Sequence, residues 1–156
     1  MRFTISGLSP EPFRTLFHLS DAALQARDIV RVRADAKPGY PCRISLEDAE
    51  PGETLLLLNH ESHAVATPYR SQYAIYVRES AGQAARYENE LPPILQQRQI
   101  ALRMFSSAGM LVGADMGKNS DLEVKIDAAL ARDDVAYLHA HNAMHGCFMA
   151  AVEVSA

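Results

Sequence analysis

The sequence has only two cysteines, Cys42 and Cys147, among 156 residues. That is too few for a disulfide framework, and two free thiols are the expectation. No apolar stretch approaches the roughly 20 residues that a membrane helix needs. The opening residues, MRFTISGLSPEPF, lack the apolar run of a secretory leader. Both absences lead to the expectation of a cytoplasmic protein without a membrane partner. Lysine is scarce too, confined to Lys37, Lys118 and Lys125. Arginine supplies the rest of the positive charge, the net charge is −4, and no basic stripe forms. Nucleic acid is therefore not an expected partner. A phosphate-cradling glycine loop, a G-x-S-x-G elbow and a CxxC pair are missing, as are repeats and low-complexity tracts.

What remains is an ordinary globular composition, 48% hydrophobic and 22% charged. A chain of this length forms one domain, 1–156, and buries roughly 68–70% of its unfolded surface without staples. RFTISG (2–7) alternates like a half-buried strand. Ser9-Pro10 reads as a helix start, and Ser20 caps a second short helix through about Arg27. Ile29, Val30 and Val32 suggest a strand, and PCRISL a further short one. TLLLLN (54–59) is an unbroken apolar run, expected as a strand buried on both faces. HESHAVATPYRS reads as a long polar loop, QYAIYVRE as a strand, and 80–93 as a stretch with no clear strand.

RQIALRMF and GMLVGADM flank a turn at 106–109, which is a hairpin signal. Ser120-x-x-Glu123 reads as a capping box opening a helix with Leu122, Ile126, Ala129 and Leu130 on one side. The last unit is a hairpin of VAYLHAHN and CFMAAVEV. The expected fold class is α+β: a largely antiparallel or mixed sheet of about six to seven strands, three to four helices, and a C-terminal helix followed by a β-hairpin.

Two blocks, DAKPGYPCRISLEDAEPGETLLLLN (35–59) and YLHAHNAMHGCF (137–148), carry a resemblance, with TPYRSQYAIYVRE (67–79) fitting between them. They resemble a bacterial family of uncharacterised proteins, domain of unknown function 1203. The patterns YPCR-x-SLEDA and H-x-H-N-A-x-x-G-C are the distinctive parts. Through the resemblance Cys42, Arg43, Tyr69, Arg70, Arg78, His139, His141, Asn142, Gly146 and Cys147 occupy the family's marked positions. His145 departs from the pattern, where proline is expected. The family brings no activity, substrate or cofactor with it.

The residues of HAHNAMHGC support three readings. In a strand, Leu138 and Ala140 face the core while Tyr137, His139 and His141 face a cleft or solvent. In the first reading these histidines are exposed strand residues and Cys147 is a small hydrophobe. In the second, Cys147 and His141 form a nucleophile–base pair with Asn142 as an orienting or oxyanion partner. In the third, His139 and His141 bind a metal, with Cys147, His60 or His63 as further ligands. The second reading expects Leu138 opposite Ala150, His139 opposite Met149 and His141 opposite Cys147. Phe148, Ala150 and Val152 then face the core, and Gly146 supplies a left-handed turn conformation.

His139, Arg43, Arg70 and Cys42 are the candidate ligand-binding residues, and Cys42 and Cys147 are expected as two walls of one site. Arginines near such a site suit carboxylate or phosphate, unless Glu47, Asp48 and Glu79 neutralise them. No cofactor is evident. The leading expectation is a domain that binds, or also transforms, a small polar ligand. The alternatives are a noncatalytic domain that dimerises through an exposed sheet face or edge, and a metal-binding protein using the H-x-H pair.

Overall fold

A computed structural model describes residues 2–156. Among them are the strands β1 (Phe3–Ser6), β2 (Val30–Arg33), β3 (Thr54–His63), β4 (Ser71–Arg78), β5 (Arg86–Glu88), β6 (Ile100–Phe105), β7 (Leu111–Gly117), β8 (Tyr137–Asn142) and β9 (Phe148–Val154). The helices are α1 (Glu11–Arg14), α2 (Asp21–Gln25) and α3 (Ser120–Leu130), with short 3-10 turns at Thr15–His18 and Pro93–Leu95. The fold is α+β and antiparallel, as expected, but its strands fall into two sheets. One has six strands in the order β5-β1-β9-β8-β6-β7, and the other has three, β2-β3-β4.

The six-stranded sheet buries one face under α3. Leu122, Ile126, Ala129 and Leu130 share a core with Ile100, Leu102, Leu138, Ala140, Ala150 and Val152. The three-stranded sheet forms a second core in which Leu56, Leu58, Ile75 and Val77 meet Phe13, Leu24, Cys42 and Ile44. Leu55 faces the other way, packing with Ala34 and Ala49. That division explains the unbroken TLLLLN run, because both faces of β3 are covered.

Several local expectations need correction. HESH continues β3 instead of starting a loop, since His60 pairs with Tyr73 and His63 with Ser71 across a bulge. PCRISL is not a strand. It makes isolated bridges only, Pro41 to Asp48 and Cys42 to Tyr76. The stretch 80–93 does contain a strand, β5, which borders β1. The first helix begins one residue late, with Pro10 at the cap position and Ser9 Oγ accepting the Glu11 N–H. Ser20 caps α2 as read, accepting the Ala23 N–H. The Ser120/Glu123 box does not form, because the cap residue is Asn119. Asn119 has φ +53° and ψ −131°, and its side-chain oxygen accepts the Gln97 N–H.

The segment 41–48 straps the two sheets together. Arg43 N donates to Tyr76 O in the small sheet, while the Arg43 and Ile44 carbonyls accept from Leu8 and Ala85 beside the large one. The strap runs so close to the end of β1 that a Cβ on Gly7 would lie 2.0 Å from Ile44 O.

The last hairpin differs from the expected register. Leu138 pairs with Val152, His139 with Ala151 and Ala140 with Ala150; beyond a bulge, His141 pairs with Phe148. Met149 is the extra residue. A one-residue bulge reverses the alternation, so Phe148 moves to the histidine face. Gly146 does take the left-handed conformation, at φ +82°.

Two substitutions test this architecture. Ile126→Ala removes a fully buried side chain and is expected to cost about 2–5 kcal/mol in urea unfolding. A loss under about half a kilocalorie would mean that α3 is not part of the core. Gly7→Ala forces the strap off β1 and is expected to cost about 3 kcal/mol; wild-type stability would show that the strap yields freely.

Candidate functional site

The histidines sit between the sheets. His139 and His141 alternate with Leu138 and Ala140, so they leave the α3 side and face the tip of the small sheet. His63 from β3 lies 5.1 Å from His139, and Tyr73 from β4 lies 5.0 Å from His141, measured between ring centroids. Phe105, Tyr137 and Phe148 complete an aromatic seam. His139 is 7% exposed and His141 2%. Neither is the solvated strand residue or cleft residue expected from the sequence.

The seam's polar atoms are partnered. His63 Nδ1 meets the Tyr69 carbonyl at 2.8 Å, which only accepts, so Nδ1 carries the proton and Nε2 takes the Tyr137 hydroxyl at 2.6 Å. His141 Nδ1 likewise donates to Gly146 O at 2.9 Å. Burial, with His63 and His141 nearby, pushes His139 down to about 3. Burial holds His141 at about 4, against the Gly146 hydrogen bond that favours its charged form. Both rings are neutral near pH 7.

The Cys147 sulfur has a different neighbour from the one expected. It accepts from Arg43 Nη2 at 3.0 Å. The same guanidinium donates from Nε to Phe148 O at 2.8 Å and from Nη1 to Pro41 O at 2.5 Å. Arg43 is 2% exposed, and no carboxylate among the described residues forms an ion pair with it. Burial accordingly pushes its pKa down from the usual arginine value. Beside this pair opens a cavity of about 430 Å³, lined by Arg43, Cys147, Asn142, His145, Arg98, Tyr73 and Tyr76 among others.

The model of a protein family described as "Protein of unknown function (DUF1203)" matches residues 39–154. The chain belongs to this family. No curated protein and no solved structure matches it. The family match spans the strap, β4 and the final hairpin, all of which line the cavity.

Of the candidate residues, Cys147, Arg43 and Asn142 converge on the cavity, and so does His145, the position that departs from the family pattern. Asn142 shapes the turn there, its side-chain oxygen accepting the Met144 and His145 N–H groups. The others go elsewhere. Cys42 is fully buried in the small sheet's core, its sulfur accepting the Arg78 N–H. It is therefore not a second wall. Arg70 is exposed and held by Glu61. His139 and His141 belong to the seam.

Arg98, Tyr73 and Tyr76 are among the cavity residues that escaped the sequence reading. Arg98 lines the cavity while binding Asp48 through two hydrogen bonds of 3.0 and 2.7 Å. Tyr73 also lines it and takes a hydrogen bond from Arg103. Arg98 carried no motif signal; Tyr73 lay inside a strand read only for its propensity. Two further hollows, of about 300 and 600 Å³, share Arg78. That arginine is already engaged by Glu47 and Glu53. Among the described residues, no group of three or more histidine, cysteine, aspartate or glutamate side chains is placed to hold a metal ion.

The buried histidines predict acid sensitivity. Their folded pKa values lie below the ordinary 6.5, so the unfolded chain binds protons first. Their contribution is fully present above about pH 6.5 and is lost as pH falls toward 4 and 3. At pH 5 each should have cost about 2 kcal/mol relative to pH 7. Urea unfolding of parent and His139→Leu at both pH values checks this. The variant should lose about 2 kcal/mol less between them, and an equal loss in both would remove His139 from the account.

Proposed function

We propose that this protein binds a small anionic ligand, a carboxylate with a planar or apolar body, in the cavity beside Arg43 and Cys147. The observation that carries the reading is the buried Arg43 guanidinium with no anionic partner on a cavity wall. A buried cation costs several kcal/mol unless paired. Two carbonyls and a sulfur offset part of that cost, and an incoming carboxylate would complete it through a charge-assisted hydrogen bond. Tyr73 and Tyr76 offer aromatic walls for the ligand's body, with exposed His145 at the rim.

Thermal unfolding with matched pairs of small carboxylic acids and their neutral amides tests this. The acids should raise the melting temperature; at 100 times Kd the stabilisation is about 2.7 kcal/mol. Ala74→Phe, at an exposed cavity position, should abolish the response while leaving the free protein's melting temperature nearly unchanged. Amides stabilising as well as acids, or an intact response in Ala74→Phe, would overturn the reading.

A further inference from the structure

We propose that Cys147 is a peroxide-reactive thiol, oxidised to a sulfenic acid within the same cavity. The inference rests on the cavity being open to small molecules, as the ligand reading also requires. Three observations carry it. Cys147 is partly exposed and lines the cavity, while Cys42 is fully buried away from it. The Cys147 sulfur accepts a hydrogen bond from a guanidinium that no carboxylate neutralises. Gly146, directly before it, leaves open space where a side chain would stand.

The chemistry follows from the neighbours present. Acyl transfer with a histidine base finds no support, because His141 donates its Nδ1 proton to Gly146 O and lies in the seam. Attack on a hydroperoxide needs no such base. The sulfur bonds to one peroxide oxygen, the O–O bond breaks, and the departing oxygen leaves with the thiol proton as water or an alcohol. The sulfur loses two electrons and the hydroperoxide gains them. Positive charge beside the sulfur stabilises both the attacking sulfur and the leaving oxygen, which is what marks sensor cysteines.

Cys42, sealed in the other core, is not available to resolve the product as an internal disulfide. The sulfenic acid therefore persists until an external thiol condenses with it, releasing water and forming a mixed disulfide.

The experiment treats the full chain with hydrogen peroxide at pH 7 and traps sulfenic acid with a dione reagent, read by peptide mass spectrometry. Cys147 should be labelled at least about tenfold faster in the folded protein than in urea, with Cys42 protected. Arg43→Lys keeps a charge but loses the fork, and should slow the labelling; Ala74→Phe should slow it by closing the cavity. Equal rates folded and unfolded would overturn the proposal without needing any variant to fold. Cys147→Ser separates the two readings. If it keeps the carboxylate response while the parent shows no enhanced oxidation, the thiol inference alone has failed. If oxidation is fast but no acid stabilises any form, the ligand reading alone has failed.

Discussion

The guanidinium of Arg43 joins three pieces of chain that would otherwise only abut. It reaches from the strap to Phe148 O at the start of β9, to Pro41 O within the strap, and to the Cys147 sulfur in the final turn. The strap's own backbone meanwhile binds Tyr76 of one sheet and Leu8 and Ala85 beside the other. Remove the side chain and two buried carbonyls lose their donors, each at a cost of about 1–3 kcal/mol. The position of the cavity depends on this clamp, because the cavity is the space left where strap, β4 edge and hairpin turn fail to close.

The seam of rings beneath it explains why the sheets meet as they do. His63, His139, His141, Tyr73, Tyr137, Phe105 and Phe148 present edges and faces at centroid distances of about 4–6 Å. Imidazole suits this place because it packs like an aromatic ring and can still satisfy a buried carbonyl, as His141 does for Gly146. The arrangement needs neutral rings. Protonating them would place cations near Arg103 and Arg43, which is the repulsion that helps depress both pKa values. The three histidines thus serve cohesion, while Cys147, the residue just before β9, is the part of their motif that lines the cavity.

Legibility in the sequence tracked how local the governing interaction was. The α3 stripe of Leu122, Ile126, Ala129 and Leu130 was legible because it follows helical spacing and packs as a unit. The hairpins at 106–109 and 142–147 were legible from their turn residues, and Gly146 from its need for positive φ. The register was not. A bulge at Met149 leaves no mark in an apolar strand, and both faces of β9 are covered at that point, so alternation carried no information about which way Phe148 and Cys147 turn. The division into two sheets was equally hidden. HESH looks like a loop because its residues are polar, yet His63 finds its partners in Tyr69 and Tyr137, contacts that no local pattern encodes. The pairing of Arg43 with Cys147 spans 104 residues and could be suspected only because both blocks belong to one family pattern.

The adjacent residues Cys42 and Arg43 show how one short segment yields two unlike environments. The strap turns at Arg43, just past the Cys42 bridge to Tyr76, so the two side chains leave it in different directions. Cys42 therefore enters the small sheet's core with Leu56, Ile75 and Phe13, and Arg43 turns toward the hairpin. One direction seals a thiol in hydrocarbon, and the other places a cation against the second thiol. Two cysteines of one chain thus differ in access and in charge environment for a single geometric reason. A one-residue slip of the strap would put the guanidinium in an apolar core. The penalty for that slip favours the register in which Arg43, and not Cys42, lies against the Cys147 sulfur.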